Sequence, residues 1–406
     1  MDININNLIE KVIWLMTTFL LASFSIFDDN IYISVIIAAI TLLILLLDSF
    51  TNGFKISIKL SRFHLWGFGF AGYCILSSLW AINPANSFSK GITIIQIILC
   101  MTVIYSHYYR SFQPQVLLSI IEYSGYMIAL YYISSFGLGY IKNILMHGSR
   151  IENAFANANA IGISCAISMI LYVYYALYKG NRSLIKLFMV SLSIIVLTVS
   201  ASRTALIGFV CGSFCLFLFR FASKSVIKTA LKWSVICAVF IGLLSILLTL
   251  EVFDSLNQRM EGLIALIAGT GTIDNSAWLR QQFMKIGIEQ FLEMPLFGIG
   301  IDNARFLLMQ HFGYTTYLHN NYVELLASGG LTGTCLFYSI YVYILNKLKK
   351  GWCKHISESK AVFAIVSAIL IMDFGNISYY SKDIYFYITT SCIIVNSVLK
   401  IERDEE

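Results

Sequence analysis

The chain has 406 residues, of which 58% are apolar and only 12% charged. A soluble domain carries roughly 45–50% apolar and about 25% charged residues, so this composition excludes an ordinary water-soluble core and points to a bilayer as solvent. The formal net charge of +6 raises nucleic acid as a partner, but the basic residues are distributed as a topology signal, and on that ground nucleic acid is set aside.

A spanning helix needs about 20 mostly apolar residues. Twelve runs qualify, at 9–27, 31–48, 64–80, 91–107, 116–137, 159–178, 187–201, 204–219, 232–250, 322–346, 361–376 and 384–399. Runs this long read as helices, because lipid-embedded backbone must bond within its own segment. The first run lacks a basic leader and a small-residue cleavage site, and reads as a retained helix. With the N-terminus in the cytoplasm, nineteen of the 28 Lys and Arg residues fall inside and nine outside. This asymmetry places both termini inside. The expected fold is an all-α integral membrane protein forming a single polytopic domain, 1–406. One large extracytoplasmic loop, 251–321, joins the ninth and tenth spans and is the expected seat of chemistry. An enzyme facing that side needs a donor activated elsewhere and carried across the membrane. Eight of the nine cysteines lie in apolar runs and Cys353 in a basic loop, with no C-x-x-C pair. They read as small hydrophobes rather than as a disulfide framework or a metal site.

Several outward-facing residues stand out in chain order. Asp28 and Asp29 form a carboxylate pair in a tight turn, read as solvated. In the loop 138–158, Arg150, Asn153, Asn157 and Asn159 offer groups suited to sugar hydroxyls, although Asn-rich turns are also ordinary loop chemistry. Arg203 is the only charge between Leu187 and Phe219, a run too long for one span, so a tight turn near Ser200–Thr204 is expected to split it. An arginine near the interface either snorkels or meets an anion, and its planar fork suits a phosphate. In the large loop, Asp274, Asn275 and Ser276 can cap a helix starting near Ala277. Met284, Ile288, Phe291 and Leu292 then mark its apolar stripe, headed by Arg280. The loop also carries Arg305. His319 opens the run His319-Asn320-Asn321-Tyr322-Val323-Glu324 at the mouth of the tenth span. A histidine, with an ordinary pKa near 6.5, is a natural general base at neutral pH and equally a common structural residue. His311 and His319 lack metal-ligand spacing.

Taken together, Ser78-Leu-Trp-Ala-Ile-Asn83, the Asn157/Asn159 stretch, Ser202-Arg203-Thr204-Ala205, Pro295-Leu-Phe-Gly-Ile-Gly300 and His319-Asn-Asn-Tyr-Val-Glu-Leu-Leu-Ala-Ser-Gly-Gly-Leu-Thr-Gly333 resemble the O-antigen polymerase and ligase superfamily. The resemblance implies a helical bundle like that of C-type glycosyltransferases in a bacterial plasma membrane. Its substrates would be glycans carried on undecaprenyl diphosphate, which serve as donor and acceptor and are joined at the outer face. No metal or other cofactor is implied. Arg203 and Arg280 match the arginines that hold the lipid diphosphate, and His319 matches the histidine proposed to activate the acceptor hydroxyl. Arg150, Asn157, Asn159, Asn320 and Arg305 are the expected substrate-binding residues. The family's usual Asn-Pro-Asn reads Asn157-Ala158-Asn159 here. A flippase, a chain-length regulator and membrane lipids are the implied partners.

The segment Asp373-Phe-Gly-Asn-Ile-Ser-Tyr-Tyr-Ser-Lys-Asp383 is more similar to polymerases of O-antigen or capsule than to ligases, and polymerisation is the expected activity. Transfer of finished chains to lipid A core is the alternative. A transporter of lipid-linked sugars is a third reading, disfavoured because no internal repeat is present and few charges fall mid-span.

Overall fold

The computed structural model describes residues 8–28, 30–51, 61–111, 113–147, 157–180, 183–221, 275–353 and 357–404, together with 228, 231–236, 238–239, 242 and 261. Among them the regular structure is helical. The elements are α1 (Leu8–Ile26), α2 (Ile31–Thr51), α3 (Arg62–Leu76), α4 (Pro84–Ser111), α5 (Pro114–His147), α6 (Ala158–Tyr174), α7 (Leu184–Ser200), α8 (Arg203–Phe221), α9 (Asn275–Glu293), α10 (Ala304–Phe312), α11 (Asn321–Cys353), α12 (Ser357–Met372) and α13 (Lys382–Asp404). Seven of these are long and apolar enough to cross a membrane by length and composition, and Leu184–Ser200 is a shorter apolar helix. Eleven of the twelve expected spans coincide with helices. The span expected at 232–250 and the loop segment 251–274 fall almost wholly outside the described residues.

Sequence chemistry sets the joints. Pro84 and Pro114 are the first residues of α4 and α5, where a missing N–H costs nothing and the fixed φ suits a helix start. Pro295 follows the end of α9. Among the cysteines, Cys74, Cys165 and Cys392 are buried as expected, whereas Cys335 is exposed.

The chain forms two compact units. Unit 1 comprises Met1–Asn52, Phe112–Glu261 and Lys350–Met372, and unit 2 comprises Gly53–Ser111, Gly262–Lys349 and Asp373–Glu406. In unit 1, Gly125 on α5 lets the backbone meet Ser168 on α6, where an added Cβ would lie 2.3 Å from the serine Cβ. Small residues permit this kind of close helix approach within a bilayer. The same region holds a buried ion pair. Lys186 on α7 lies 2.6 Å from Glu122 on α5, and the Tyr126 hydroxyl donates to the second carboxylate oxygen at 2.9 Å. A second pair, Lys179–Glu358 at 2.8 Å, ties the end of the α6 segment to α12.

In unit 2, α11 corrects the expected single span at 322–346. The helix breaks at Gly330, with φ 61° and ψ −166°. Asn321 Nδ2 donates to the Tyr338 hydroxyl at 2.8 Å, and the rings of Tyr322 and Tyr338 stack at 4.8 Å. Seventeen residues of straight helix would separate these positions by about 25 Å. Residues 321–329 therefore fold back along the start of 331–353.

Two glycine motifs hold this fold-back together. Leu331 N donates to Pro295 O at 2.8 Å, Thr332 N to Leu296 O at 3.1 Å, and Ile299 N to Ala327 O at 3.1 Å. A Cβ on Gly330 would lie 2.4 Å from Leu296 backbone, and one on Gly298 2.6 Å from Ala327 O. Both positions also have positive φ, so glycine is required twice over. The Tyr73 hydroxyl of α3 reaches the Gly329 and Phe297 carbonyls and braces the joint.

Gly330→Ala combines a positive-φ backbone penalty of about 1–3 kcal/mol, in a region that glycine alone adopts readily, with an overpacking cost of about 1–3 kcal/mol. Gly313, at φ 78° with open space around it, incurs only a left-handed backbone penalty of about 1–2 kcal/mol. Thermal unfolding in detergent is expected to show a clearly larger loss for Gly330→Ala than for Gly313→Ala.

Candidate functional site

The start of α11 is a closed corner. The Asn320 side-chain Oδ1 accepts from Tyr322 N at 3.0 Å and Val323 N at 3.2 Å, which makes it the helix cap. Glu324 reaches back, its Oε2 accepting from Leu318 N at 2.9 Å. Between these two bonds His319 is held at φ 56°, a left-handed conformation uncommon outside glycine and adopted by Asn, Asp and His more often than by other residues. Non-glycine strain of this kind tends to mark functional positions. The imidazole is half-buried and packs on Tyr317 at 4.6 Å and on Phe283 at 6.3 Å.

Phe283 belongs to α9, three residues after Arg280, and Met284 of the same helix accepts a long contact from Asn320 Nδ2 at 3.5 Å. Unit 2 thus brings the Arg280 turn of α9 to the His319 corner. The expected helix near Ala277 is present, but its stripe is rotated. Ala277, Phe283 and Gly287 form the buried face, whereas Ile288 and Leu292 are 46% and 70% exposed. The reason is α10 and the α11 corner, whose Leu308, Leu318 and Val323 pack on Phe283.

A second cluster adjoins the Gly298–Gly300 turn. Asp302, at φ 63°, bonds Arg305 through Oδ1 and lies 3.5 Å from Lys90 Nζ through Oδ2. The Tyr379 hydroxyl donates to Asp302 Oδ1 at 3.4 Å, and Lys90 Nζ sits 3.8 Å over the Tyr380 ring. Burial works against the Arg305 charge, but the Asp302 carboxylate outweighs it and holds the guanidinium above its ordinary pKa. Asn303 fixes the turn, accepting from Asn83 N at 2.6 Å and donating to Ser87 Oγ at 2.9 Å. This is how the motif ending at Asn83 and the motif ending at Gly300 meet.

A third set of contacts centres on Asn321 and the turn that follows α12. That helix ends at Met372, short of the expected 376, so Asp373 stands in the turn. Asn321 N donates to Asp373 O at 2.8 Å, and its Oδ1 accepts from Ser378 N and Tyr379 N at 2.9 and 3.2 Å. Its Nδ2 reaches Tyr338 and, at 3.4 Å, Asp373 Oδ2, to which the Tyr338 hydroxyl donates at 2.8 Å. Burial pushes the Asp373 carboxyl up to about 7.

Arg203 lies in unit 1. The expected tight turn is present, with α7 ending at Ser200, Ala201 at φ 48°, and α8 starting at Arg203. Arg203 is buried, 7% exposed. Gly162 of α6 packs on Ser200 and Ser202, so the α6 start adjoins this turn. Asn157 caps α6 by accepting from Asn159 N at 2.9 Å, and Asn159 is buried. Unit 1 therefore groups Arg203 with Asn157 and Asn159, and unit 2 groups Arg280, Arg305, His319 and Asn320. Arg150 lies outside the described residues. Sequence reasoning missed Lys90, Asp302, Asn321 and Asp373. Nothing local in the sequence links Lys90 to residue 302.

These features define a multi-pass, all-helical membrane protein with titratable and arginine side chains clustered at helix starts. Residues 187–338 match the family model described as O-antigen ligase. The match covers 152 of the 406 residues; over that segment the chain is similar to the family, which supports lipid-linked glycan processing in O-antigen assembly. The matched segment contains Arg203, Arg280, Arg305 and His319. No curated protein matches the chain.

Asp302→Asn keeps a residue type that tolerates the left-handed backbone but removes the carboxylate between Lys90 and Arg305. Breaking a buried pair costs about 3–5 kcal/mol, less where the partners are partly exposed, as Arg305 is here. A drop of about 2–3 kcal/mol is expected by detergent-phase unfolding. Asp302→Glu should lower stability as well, because glutamate does not share the tolerance for positive φ.

Proposed function

We propose that this protein polymerises oligosaccharide repeat units carried on undecaprenyl diphosphate, at the outer face of a bacterial plasma membrane. The observation that carries the reading is the His319 corner. It is a half-buried imidazole on a left-handed backbone, beside the Arg280 turn of α9 and inside the segment that matches the family.

The chemistry is a single displacement. The acceptor sugar hydroxyl attacks the anomeric carbon of the donor, its proton passes to His319, and the bond to the diphosphate breaks. Undecaprenyl diphosphate leaves with the electron pair, and inversion at the anomeric carbon follows. Arg280 offers a guanidinium to the developing charge, and electrostatic stabilisation of this kind is worth about 10²–10³ in rate. Arg203, buried at the start of α8, is a phosphate-binding candidate in its own right on unit 1. Arg305 and the Asn157–Asn159 turn are proposed to contact sugars. Arg150 is retained as a sugar-contact candidate from its sequence position alone.

The late segment from Asp373 to Asp383 supports polymerase over ligase. The description of the matching family, O-antigen ligase, keeps the second reading in place.

Deleting the gene separates the two. A polymerase deletion is expected to leave a single repeat unit on the glycan gel, whereas long chains accumulating on the lipid carrier would establish the ligase. His319→Ala is expected to insert normally and abolish long chains, since loss of a general base costs about 10²–10⁴ in rate. An unchanged ladder in that variant would remove His319 from the chemistry.

A further inference from the structure

We infer that Asn321 is the positioning residue for the His319 corner, and that it acts by locking that corner to the turn 373–379. The inference rests on the reading of His319 as the base.

The geometry is a saturated node. Asn321 is fully buried, at 0% exposure. Its side chain can accept twice and donate twice. Both acceptor positions are taken by Ser378 N and Tyr379 N, and both amide hydrogens have acceptors in the Tyr338 hydroxyl and Asp373 Oδ2. Its main-chain N–H goes to Asp373 O. One residue therefore joins the short arm of α11, its returning arm and the turn after α12.

Side-chain chemistry makes asparagine specific here. Aspartate has the same shape but no amide donors, and would set a second carboxylate beside Asp373. Leucine would leave two main-chain N–H groups unanswered in a buried site and the Asp373 carboxylate with one donor fewer. The lock lies two residues beyond His319, whose φ of 56° persists only if its surroundings hold it. It also continues outward, because Tyr379 reaches Asp302 and Tyr380 lies under Lys90.

The test is a reciprocal exchange. Asn321→Asp and Asp373→Asn are made singly and together, with Tyr338→Phe as a milder variant should a single exchange fail to fold. The double exchange returns one carboxylate and one amide to the node. Two quantities are read on purified full-length protein. One is the rate at which diethyl pyrocarbonate modifies His319, quantified by mass spectrometry. The other is polymer formation from the lipid-linked repeat unit, with kcat and KM separated.

Either single variant is expected to change the His319 modification rate by about threefold or more, as local opening becomes easier. It should lower kcat by on the order of tenfold to a hundredfold at unchanged KM, the penalty for a misplaced catalytic group. The double variant should restore both. A modification rate that stays at the wild-type value in the single variants, or that the double exchange fails to restore, overturns the lock. A rate that shifts and reverts while polymer formation stays constant upholds the lock and overturns the catalytic reading of His319.

Discussion

Two main-chain hydrogen bonds, from Leu331 and Thr332 to the carbonyls of Pro295 and Leu296, hold the fold-back of α11, and unit 2 is organised around them. They form only because Gly330 and Gly298 lack side chains at points where backbone meets backbone. The fold-back returns Tyr338 to the level of Asn321. It thereby creates the buried node on which the His319 corner and the turn 373–379 both rest. Polar backbone in a membrane protein is tolerated where protein covers it, as it is here by Tyr73 and the Pro295 turn.

The same constraint organises the charges. In unit 2, Lys90, Asp302 and Arg305 pair beside the turn that the glycines permit. In unit 1, Glu122 and Lys186 answer one another between α5 and α7. In these pairs the charges answer one another across different helices or turns, because an unpaired buried charge would cost more than packing returns. Strain is concentrated where these networks are densest. Ala201, Asp302 and His319 are the non-glycine residues with positive φ among those described, and each adjoins a candidate site residue.

Much of the candidate site was legible in local sequence. Arg203 stood alone in a run too long for one helix, so a turn before it followed from length and polarity. The helix expected near Ala277 is present because its polar start and its apolar repeat are local signals. The apolar stripe of α9 was misread by part of a turn, since Phe283 and Gly287 face neighbours supplied by α10 and α11. The ending of α12 was misread because Asp373 is held by Asn321 and Tyr338 rather than by its own helix.

Hydropathy and charge by themselves determined an all-helical membrane protein, the helix positions and the topology signal, because these depend on transfer energies summed over single segments. The tertiary structure decided that the expected tenth span is two arms, that Lys90 meets Asp302, and that Asn321 joins the start of α11 to the turn 373–379. Those outcomes depend on contacts between positions 17 to more than 200 residues apart. Such contacts form only once the backbone has folded back at Gly330, and no local periodicity carries them.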